Sequence, residues 1–413
     1  MQTAEQDSLA SGQADRSGRW YLLVLLLFAV ALGFYERGEM SISLLMIREE
    51  LGLSLAAVGF VLAIFTLASI AGFLLMALFI WREKSWAGYA VLGVLGVFGA
   101  LLTGASSGAV ALIMARGIAG LAYGGLLVGA YPIVGGWFPP ESHGLATGLL
   151  VAVTQLRVLA RVSGIEMIHV GWRWCSRVEA GLWFLWVLLW TWLLRRSGDT
   201  LRRGQPHSLV TLSQMFKDRV TWVVVAGVAL ASPLLSFQSG RLLGHEIELL
   251  KAGGPTAAWK FALVDLLPAM GTVAAGLISD ILIRKGWSAG QSRTFIVTIC
   301  GLLMSFPAVF AFSRNPVFHL LFAMLSVTAG QSLFAVLYAA LLDAVPGRGV
   351  IVGFALSGWL GALTGTVANA MTGPITSRWG SAPIVIGFSI LTLTATLCVS
   401  RLTRKMPREL VPA

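Results

Sequence analysis

The sequence predicts an all-α membrane protein with twelve transmembrane helices in two six-helix bundles. Three observations predict this fold class. Apolar residues make up 57% of the 413-residue chain, and charged residues make up only 12%. Mean hydropathy is +0.81, whereas a soluble domain carries about 25% charged residues. Short polar breaks divide the chain into apolar runs, each close to the roughly 20 residues that a membrane helix needs.

The apolar runs give the positions of the spans. We place them near residues 20–43, 54–80, 87–105, 109–133, 145–169, 178–194, 220–243, 258–282, 294–312, 317–342, 350–373 and 382–400. The longest polar break, RRSGDTLRRGQPHSLVTLSQMFKDR, separates two groups of six spans. The expected domains are an N-terminal tail (1–19), a first bundle (20–194), a linker (195–219), a second bundle (220–400) and a C-terminal tail (401–413).

The basic residues indicate the orientation of these spans. With the N-terminus inside, eighteen of the 30 Lys and Arg residues fall in inner segments and eight in outer segments. Because cytoplasmic loops are enriched in Lys and Arg, we expect a multi-pass inner (plasma) membrane protein with both termini in the cytoplasm. The net charge of +11 then reflects loop residues in contact with a lipid bilayer, and not binding to nucleic acid.

Several other classes of protein are disfavoured. Cys175, Cys300 and Cys398 have no paired spacing, so we expect neither a disulfide nor a metal site. A phosphate-binding loop of the form GxxxxGK[ST] is missing from the sequence, which disfavours ATP as the driving force. Neither a nucleophile–base pair nor a metal-ligand pattern indicates an enzyme, and we expect no cofactor.

The two halves also share a short repeat. A proline followed by two glycines four residues apart precedes or opens spans 5 and 11, as Pro140, Gly144 and Gly148 and as Pro346, Gly349 and Gly353. Glycines four apart lie on one helix face. A parallel repeat of this kind is typical of secondary transporters, whose substrate site lies between the repeats.

Five stretches together resemble the anion:cation symporter branch of the major facilitator superfamily. They are FYERGEMS (34–41), ELGLS (50–54), WFPPESHGLATGLL (137–150), GWRW (171–174) and GLISDILIRKG (276–286), to which Arg116 at the start of span 4 adds a sixth feature. The resemblance implies the major facilitator fold, alternating access, and proton- or sodium-driven transport of organic anions such as galactonate, glucarate, hexuronates, sialic acid or phthalate.

The chain departs from that pattern at three places. The stretch after span 2, FLLMALFIWREKS, lacks the expected Asp and keeps only Arg82 and Lys84. Tyr123 stands where many members carry a protonatable Glu, seven residues after Arg116. Span 5 carries Arg157 and Arg161 where relatives have small residues. The resemblance implies a gating contact, which we therefore expect Asp280 and Arg284 to form in the second half. In the first half, Arg82 is the remaining residue of the equivalent contact.

The first span contains three ionisable residues within four positions. A charge near the bilayer centre costs about 2.5–3.5 kcal/mol on insertion scales, so a functional role is the first hypothesis. On an ideal helix Arg37 and Glu39 diverge from Glu36 in opposite directions and cannot face one narrow cavity. Unwinding at Gly33 and Gly38 is the alternative.

The arginines within the spans are candidate ligands of an anion. Arg37, Arg116, Arg157 and Arg161 exceed the carboxyl groups of the first half in number, which predicts an anionic substrate. The alternative for Arg157 and Arg161 is structural, as counter-ions of Glu36 and Glu39. Tyr123 of span 4 and Gln238 of span 7 are further candidates for substrate binding, and Gln238 is equally suited to joining helices.

Proton coupling needs a carboxyl group whose proton affinity responds to burial and to nearby arginines. Glu36 occupies the branch's Asp position and is the first candidate. Glu39 occupies an Asn position and is a candidate replacement for the acid missing at Tyr123. We therefore expect a monomeric carrier that imports a small organic anion with H⁺, with Na⁺ as the alternative ion. The rival hypotheses are an anion exchanger or exporter, and a sensor or degraded homologue that does not transport.

Overall fold

The computed structural model describes residues 2–82, 84–155, 171–203, 219–252, 256–313, 315–345 and 350–403. Within these ranges the chain forms twelve α-helices and one short 3₁₀ helix, Phe306–Phe310. The helices are α1 (Gln2–Leu51), α2 (Leu55–Trp81), α3 (Ser85–Ala105), α4 (Ala109–Trp137), α5 (Pro140–Val153), α6 (Trp172–Arg203), α7 (Arg219–Ala252), α8 (Thr256–Arg284), α9 (Ala289–Ser305), α10 (Pro316–Ala344), α11 (Val350–Trp379) and α12 (Ala382–Thr403). The prediction of an all-α membrane protein is confirmed.

Eleven of the described helices are long and apolar enough to cross a membrane. The exception is α5, which has 14 described residues and which the sequence predicts as a span over 145–169. The residues that would complete this span, 156–170, lie outside the described part of the chain. The described helices otherwise follow the order and approximate positions of the predicted spans.

The helices group into two compact units. The first contains α1 to α4 and α6, and the second contains α5 and α7 to α12. The sequence predicts that span 5 belongs to the first bundle, whereas the described part of α5 packs against α8 and α10. The division into two six-helix bundles stays a prediction.

In the first unit α2 and α4 approach so closely that their contact requires glycine. A Cβ atom at Gly124 would collide with the backbone of Ser69, and one at Gly120 would collide with the backbone of Phe65. Small residues at such crossings let membrane helices gain dispersion contacts where no hydrophobic force drives them together. This contact fixes the part of α4 that carries Arg116 and Tyr123.

Aromatic side chains join α3 and α6. Tryptophans in an apolar span suit a position facing lipid or the membrane interface, but three of the four in span 6 lie inside the first unit. Trp183, Trp186 and Trp190 are fully buried, while Trp192 is exposed. Trp190 stacks on Trp86 of α3 at a centroid distance of 5.1 Å. The indole N–H of Trp186 donates to the Leu25 carbonyl of α1 at 2.8 Å, which ties α6 to α1.

Two of the sequence motifs meet at the ends of α1 and α6. Glu50, from ELGLS, accepts hydrogen bonds from Trp172 Nε1 at 2.6 Å and from Arg173 Nε at 3.0 Å, both from GWRW. Arg173 also donates to the carbonyl oxygens of Gly104 and Ser106 at the end of α3. The Trp172 hydrogen bond, helped by Arg173, lowers the pKa of Glu50 from its ordinary value of 4.5. These contacts set the position of α6 against α1.

Candidate functional site

The charged stretch of α1 lies within a continuous helix. Residues 33–41 are helical throughout, so Gly33 does not unwind the chain. Gly33 instead makes room for Tyr123, whose ring would lie 2.8 Å from a Cβ at this position. Because the helix is intact, Glu36, Arg37 and Glu39 point in different directions. Each therefore has different partners.

Glu36 pairs with Arg116 of α4. Arg116 Nη1 donates to Glu36 Oε1 at 3.0 Å, and the two side chains are 2% and 3% exposed. The Arg116 guanidinium also lies over the Phe65 ring at 4.3 Å from its centroid. Glu36 Oε2 and Arg116 Nε are buried without a hydrogen-bond partner among the described residues. The pair therefore neutralises its charge but leaves part of its hydrogen-bonding capacity unused.

Arg37 is exposed and reaches Tyr123. Its Nη1 donates to the Tyr123 hydroxyl at 3.3 Å, and its guanidinium lies 6.0 Å from the ring centroid. Tyr123 is buried against Phe34 and Phe65, at centroid distances of 5.3 and 5.2 Å. Tyr123, which stands where many members of the branch carry a Glu, thus positions the Arg37 side chain by accepting its hydrogen bond. An exposed arginine in a membrane span is tolerated where it meets water.

Glu39 contacts a residue that the sequence reasoning missed. Its carboxyl lies within hydrogen-bonding reach of the carboxyl of Glu179 in α6, and the two residues are only 4% and 2% exposed. Glu179 carries the same signal as the α1 charges, an acid inside an apolar span. Its distance from them in the sequence concealed the pairing. We refer to Glu36, Glu39, Glu179 and Arg116 together as the acidic cluster.

Several predicted site residues lie elsewhere. Arg157 and Arg161 are outside the described residues, so the positive surplus that depends on them stays a prediction. Gln238 is 1% exposed in α7, and its Oε1 has no hydrogen-bond partner within the described ranges. Arg82 is exposed just after the end of α2.

In the second unit, Asp280 binds the first turns of α5 through hydrogen bonds. Its two carboxylate oxygens accept hydrogen bonds from the backbone N–H groups of Gly144 at 3.0 Å and Leu145 at 2.7 Å. The helix dipole also stabilises negative charge near a helix N-terminus. Arg284 donates to the Glu141 carbonyl at 3.2 Å. Asp280 and Arg284, which both belong to the GLISDILIRKG motif, therefore contact α5.

Arg293 extends this contact to α10. The orientation count assigns Arg293 to an inner segment just before span 9, but it is fully buried within α9. It donates to Asp280 Oδ1 at 2.7 Å, to Asp343 Oδ2 at 2.9 Å and to the Pro140 carbonyl at 2.8 Å. His143, to which the sequence assigns no role, lies 2.6 Å from Asp343 Oδ1 through its Nδ1. We call Asp280, Arg293, Asp343 and His143 the α5 anchor.

The spans and the ion pairs inside them define a polytopic, all-α membrane protein. The chain belongs to the Major Facilitator Superfamily, whose family model matches residues 23–362. The proton:xylose symporter XylE shares its fold, with a TM-score of 0.73 at 15% identity over 94% of this chain and 96% of that one. The human organic anion transporter MFSD10 follows at a TM-score of 0.63 and 15% identity, over 91% and 98% of the two chains.

The curated relatives are carriers of sugar acids. A D-galactonate transporter of Escherichia coli O6:H1 is 25% identical over 92% of this chain and 94% of its own. A hexuronate transporter of Escherichia coli K12 is 22% identical over 94% and 95%. A probable galactarate/D-glucarate transporter of Pseudomonas putida is 24% identical over 90% and 85%. The chain is therefore a transport protein and not an enzyme, and its resemblance to sugar-acid and organic-anion carriers is confirmed.

Proposed function

We propose that the protein is a secondary active transporter that imports a sugar acid or a similar small carboxylate together with protons by alternating access. The observation that carries this proposal is the buried ion pair between Glu36 and Arg116. The names of the sugar-acid relatives support the class of substrate.

The ion pair supplies a physical route to coupling. When Glu36 takes up a proton, Arg116 loses the one carboxylate with which it forms an ion pair among the described residues. Leaving a buried charge unpaired costs about 3–5 kcal/mol. A carboxylate from the substrate can remove that cost, so proton and anion favour each other's binding. By linkage the effect is reciprocal.

Arg37 is the proposed first contact of the anion. It is the exposed arginine of the α1 stretch, and Tyr123 orients its guanidinium. A planar guanidinium binds a carboxylate through two parallel hydrogen bonds, which a lysine cannot reproduce. Gln238, whose buried Oε1 has no hydrogen-bond partner among the described residues, is the proposed ligand of a hydroxyl group. Arg157 and Arg161 remain proposed contributors to the same site.

The α5 anchor is the proposed gate. Alternating access requires contacts that form in one state and break in another. Asp280 and Arg284 hold the start of α5 through the backbone atoms of Gly144, Leu145 and Glu141. Arg82 is proposed as the remnant of an equivalent contact after α2.

The test is uptake into proteoliposomes that contain the purified protein. Labelled D-galactonate, D-glucarate, galactarate and a hexuronate are offered with and without an inward proton gradient, and xylose serves as a neutral control. We expect accumulation of at least one acid only with the gradient, and none of xylose. Accumulation that ignores the gradient, or that follows Na⁺ instead, would contradict proton coupling. A carrier that only exchanges internal for external anion would be an exchanger.

A further inference from the structure

The acidic cluster contains a proton site that the proposed coupling through Glu36 does not use. Three buried carboxyl groups, those of Glu36, Glu39 and Glu179, surround one buried cation, Arg116, within the described residues of the first unit. Arg116 is already engaged with Glu36 at 3.0 Å. Among the described residues, the other two carboxyl groups therefore have no cation of their own.

The contact between Glu39 and Glu179 requires a proton. Two carboxylates offer only acceptors, so a hydrogen bond between them exists only when one of them carries an O–H. The pair joins two helices, α1 and α6, which pack against each other in the first unit. Two carboxylates in contact and shielded from water would otherwise repel strongly, as paired carboxyls that share one proton show.

An independent observation marks the site as a place for a ligand. Glu179 Oε1 is buried, and no described atom donates a hydrogen bond to it. Glu36 Oε2 is buried and unpartnered in the same way. Buried polar atoms without partners are rare in native proteins, and they often mark a functional site or a bound species. A carboxyl group that carries a proton is neutral, so it tolerates burial without a full set of donors better than a carboxylate does.

A proton suits this site better than a metal ion. Among the described residues, no group of three or more His, Cys, Asp or Glu side chains has metal-binding geometry. Hard cations such as calcium or sodium need several oxygen ligands arranged around one point. In the described part of the chain, the titratable or charged groups that face the pair are Glu36 on α1, Arg116 on α4 and Cys175 on α6.

We propose that Glu39 and Glu179 share one proton and form a second proton-binding site, in addition to Glu36, that links α1 to α6. The proton comes from water and returns to water, and no other bond forms or breaks. With the proton present the two helices are joined. Without it the two carboxylates repel, which favours separation of this part of α1 from α6. As a transport site the pair rests on the proposed proton-coupled import.

Infrared difference spectroscopy of the purified protein tests the shared proton without any substrate. The carbonyl stretching band of protonated carboxyl groups is followed through a pH titration of the wild type, Glu39→Gln, Glu179→Gln and the double variant. Glu49→Gln, at an exposed position near the end of α1, is the matched control. Glutamine keeps the shape of the side chain and can still hydrogen-bond its partner.

The expected result is a protonated-carboxyl band in the wild type at neutral pH. Either single substitution should remove the same part of that band, the double variant should remove no more, and the control should leave it intact. A band that survives both single substitutions overturns the proposal. So does a loss that is twice as large in the double variant, because the protons would then be independent. If the variants do not fold, a wild type without the band at neutral pH also overturns it.

Transport measurements provide a second test of the shared proton. With labelled D-galactonate as the probe, Glu179→Gln should keep anion counterflow near the wild-type rate. Its accumulation under a gradient of one pH unit should fall about tenfold, because one pH unit is worth about 1.4 kcal/mol per proton. Unchanged accumulation means that the pair does not take part in coupling. If the wild type transports none of the sugar acids, the proposed function fails while the infrared result still decides whether the proton is shared.

Discussion

The replacement of Gly144 by alanine probes the contact between α5 and α8. A Cβ at this position would lie 2.5 Å from Arg293 Nη1, 2.5 Å from the Gly276 carbonyl and 2.6 Å from Asp280 Oδ1. Real Cβ atoms do not approach other atoms so closely. Two of these three atoms belong to the buried ion pair and one to the backbone, so the helices must move apart.

The size of the effect follows from these contacts. Overpacking costs about 1–3 kcal/mol. The shift also weakens the Gly144 N–H hydrogen bond to the charged Asp280, which is worth about 1.5–3 kcal/mol. The higher helix propensity of alanine offsets about 0.5–1 kcal/mol of this loss in the free energy of unfolding. The net expectation is a loss of about 2–5 kcal/mol in the free energy of unfolding.

Chemical unfolding in detergent micelles, followed by circular dichroism, measures this loss. Gly358→Ala is the matched control, because a Cβ at Gly358 of α11 meets nothing within 4 Å. Gly358→Ala should be neutral or slightly stabilising. Gly148→Ala, where the Thr272 carbonyl lies at 3.0 Å from the added Cβ, should be intermediate. Equal stability of the Gly144 and Gly358 variants would refute the close approach of α5 to α8.

Three further predictions concern single charged groups. The pKa of Glu50 is lowered in the folded state, so its contribution to stability is present at neutral pH and is lost as the pH falls through 4.5 towards that lowered value. The melting temperatures of the wild type and Glu50→Gln should therefore converge in acid. A difference in melting temperature that stays constant with pH would contradict this. Arg37→Lys should raise the KM for the transported acid about tenfold or more, because the bidentate contact is lost, whereas Arg177→Lys, at an exposed position on α6, should leave KM unchanged. Asp343→Asn should destabilise the protein by about 3–5 kcal/mol, because Arg293 loses a buried partner at 2.9 Å; a loss below about 1 kcal/mol would show that Asp280 alone compensates Arg293.

The sequence predicts the helices well because a membrane span leaves a strong signal. A run of about 20 apolar residues seldom occurs in a helix that does not cross a membrane, and the order of the described helices follows the predicted spans. The faces of single helices were predictable in the same way. Gly144 and Gly148 lie four residues apart, and both point at α8. The divergence of Glu36, Arg37 and Glu39 follows from an uninterrupted α1.

The partners of these groups could not be predicted from the sequence. Helical periodicity shows which residues share a face, but it does not show which neighbouring helix that face meets. Glu179, Arg293 and His143 are distant in the chain from the residues that they contact. Trp186 illustrates a second limit. Lipid tails are as apolar as the interior of a bundle, so hydropathy does not distinguish a lipid-facing tryptophan from a buried one.

Glu36 is the residue proposed to couple proton movement to anion movement. Glu36→Gln mimics the protonated side chain, and its test is the comparison of counterflow with gradient-driven uptake of labelled D-galactonate in proteoliposomes. Glu36→Gln should keep counterflow but should no longer accumulate the anion under an inward proton gradient, while Glu49→Gln should behave like the wild type. Accumulation by Glu36→Gln at the wild-type level would contradict proton coupling through Glu36.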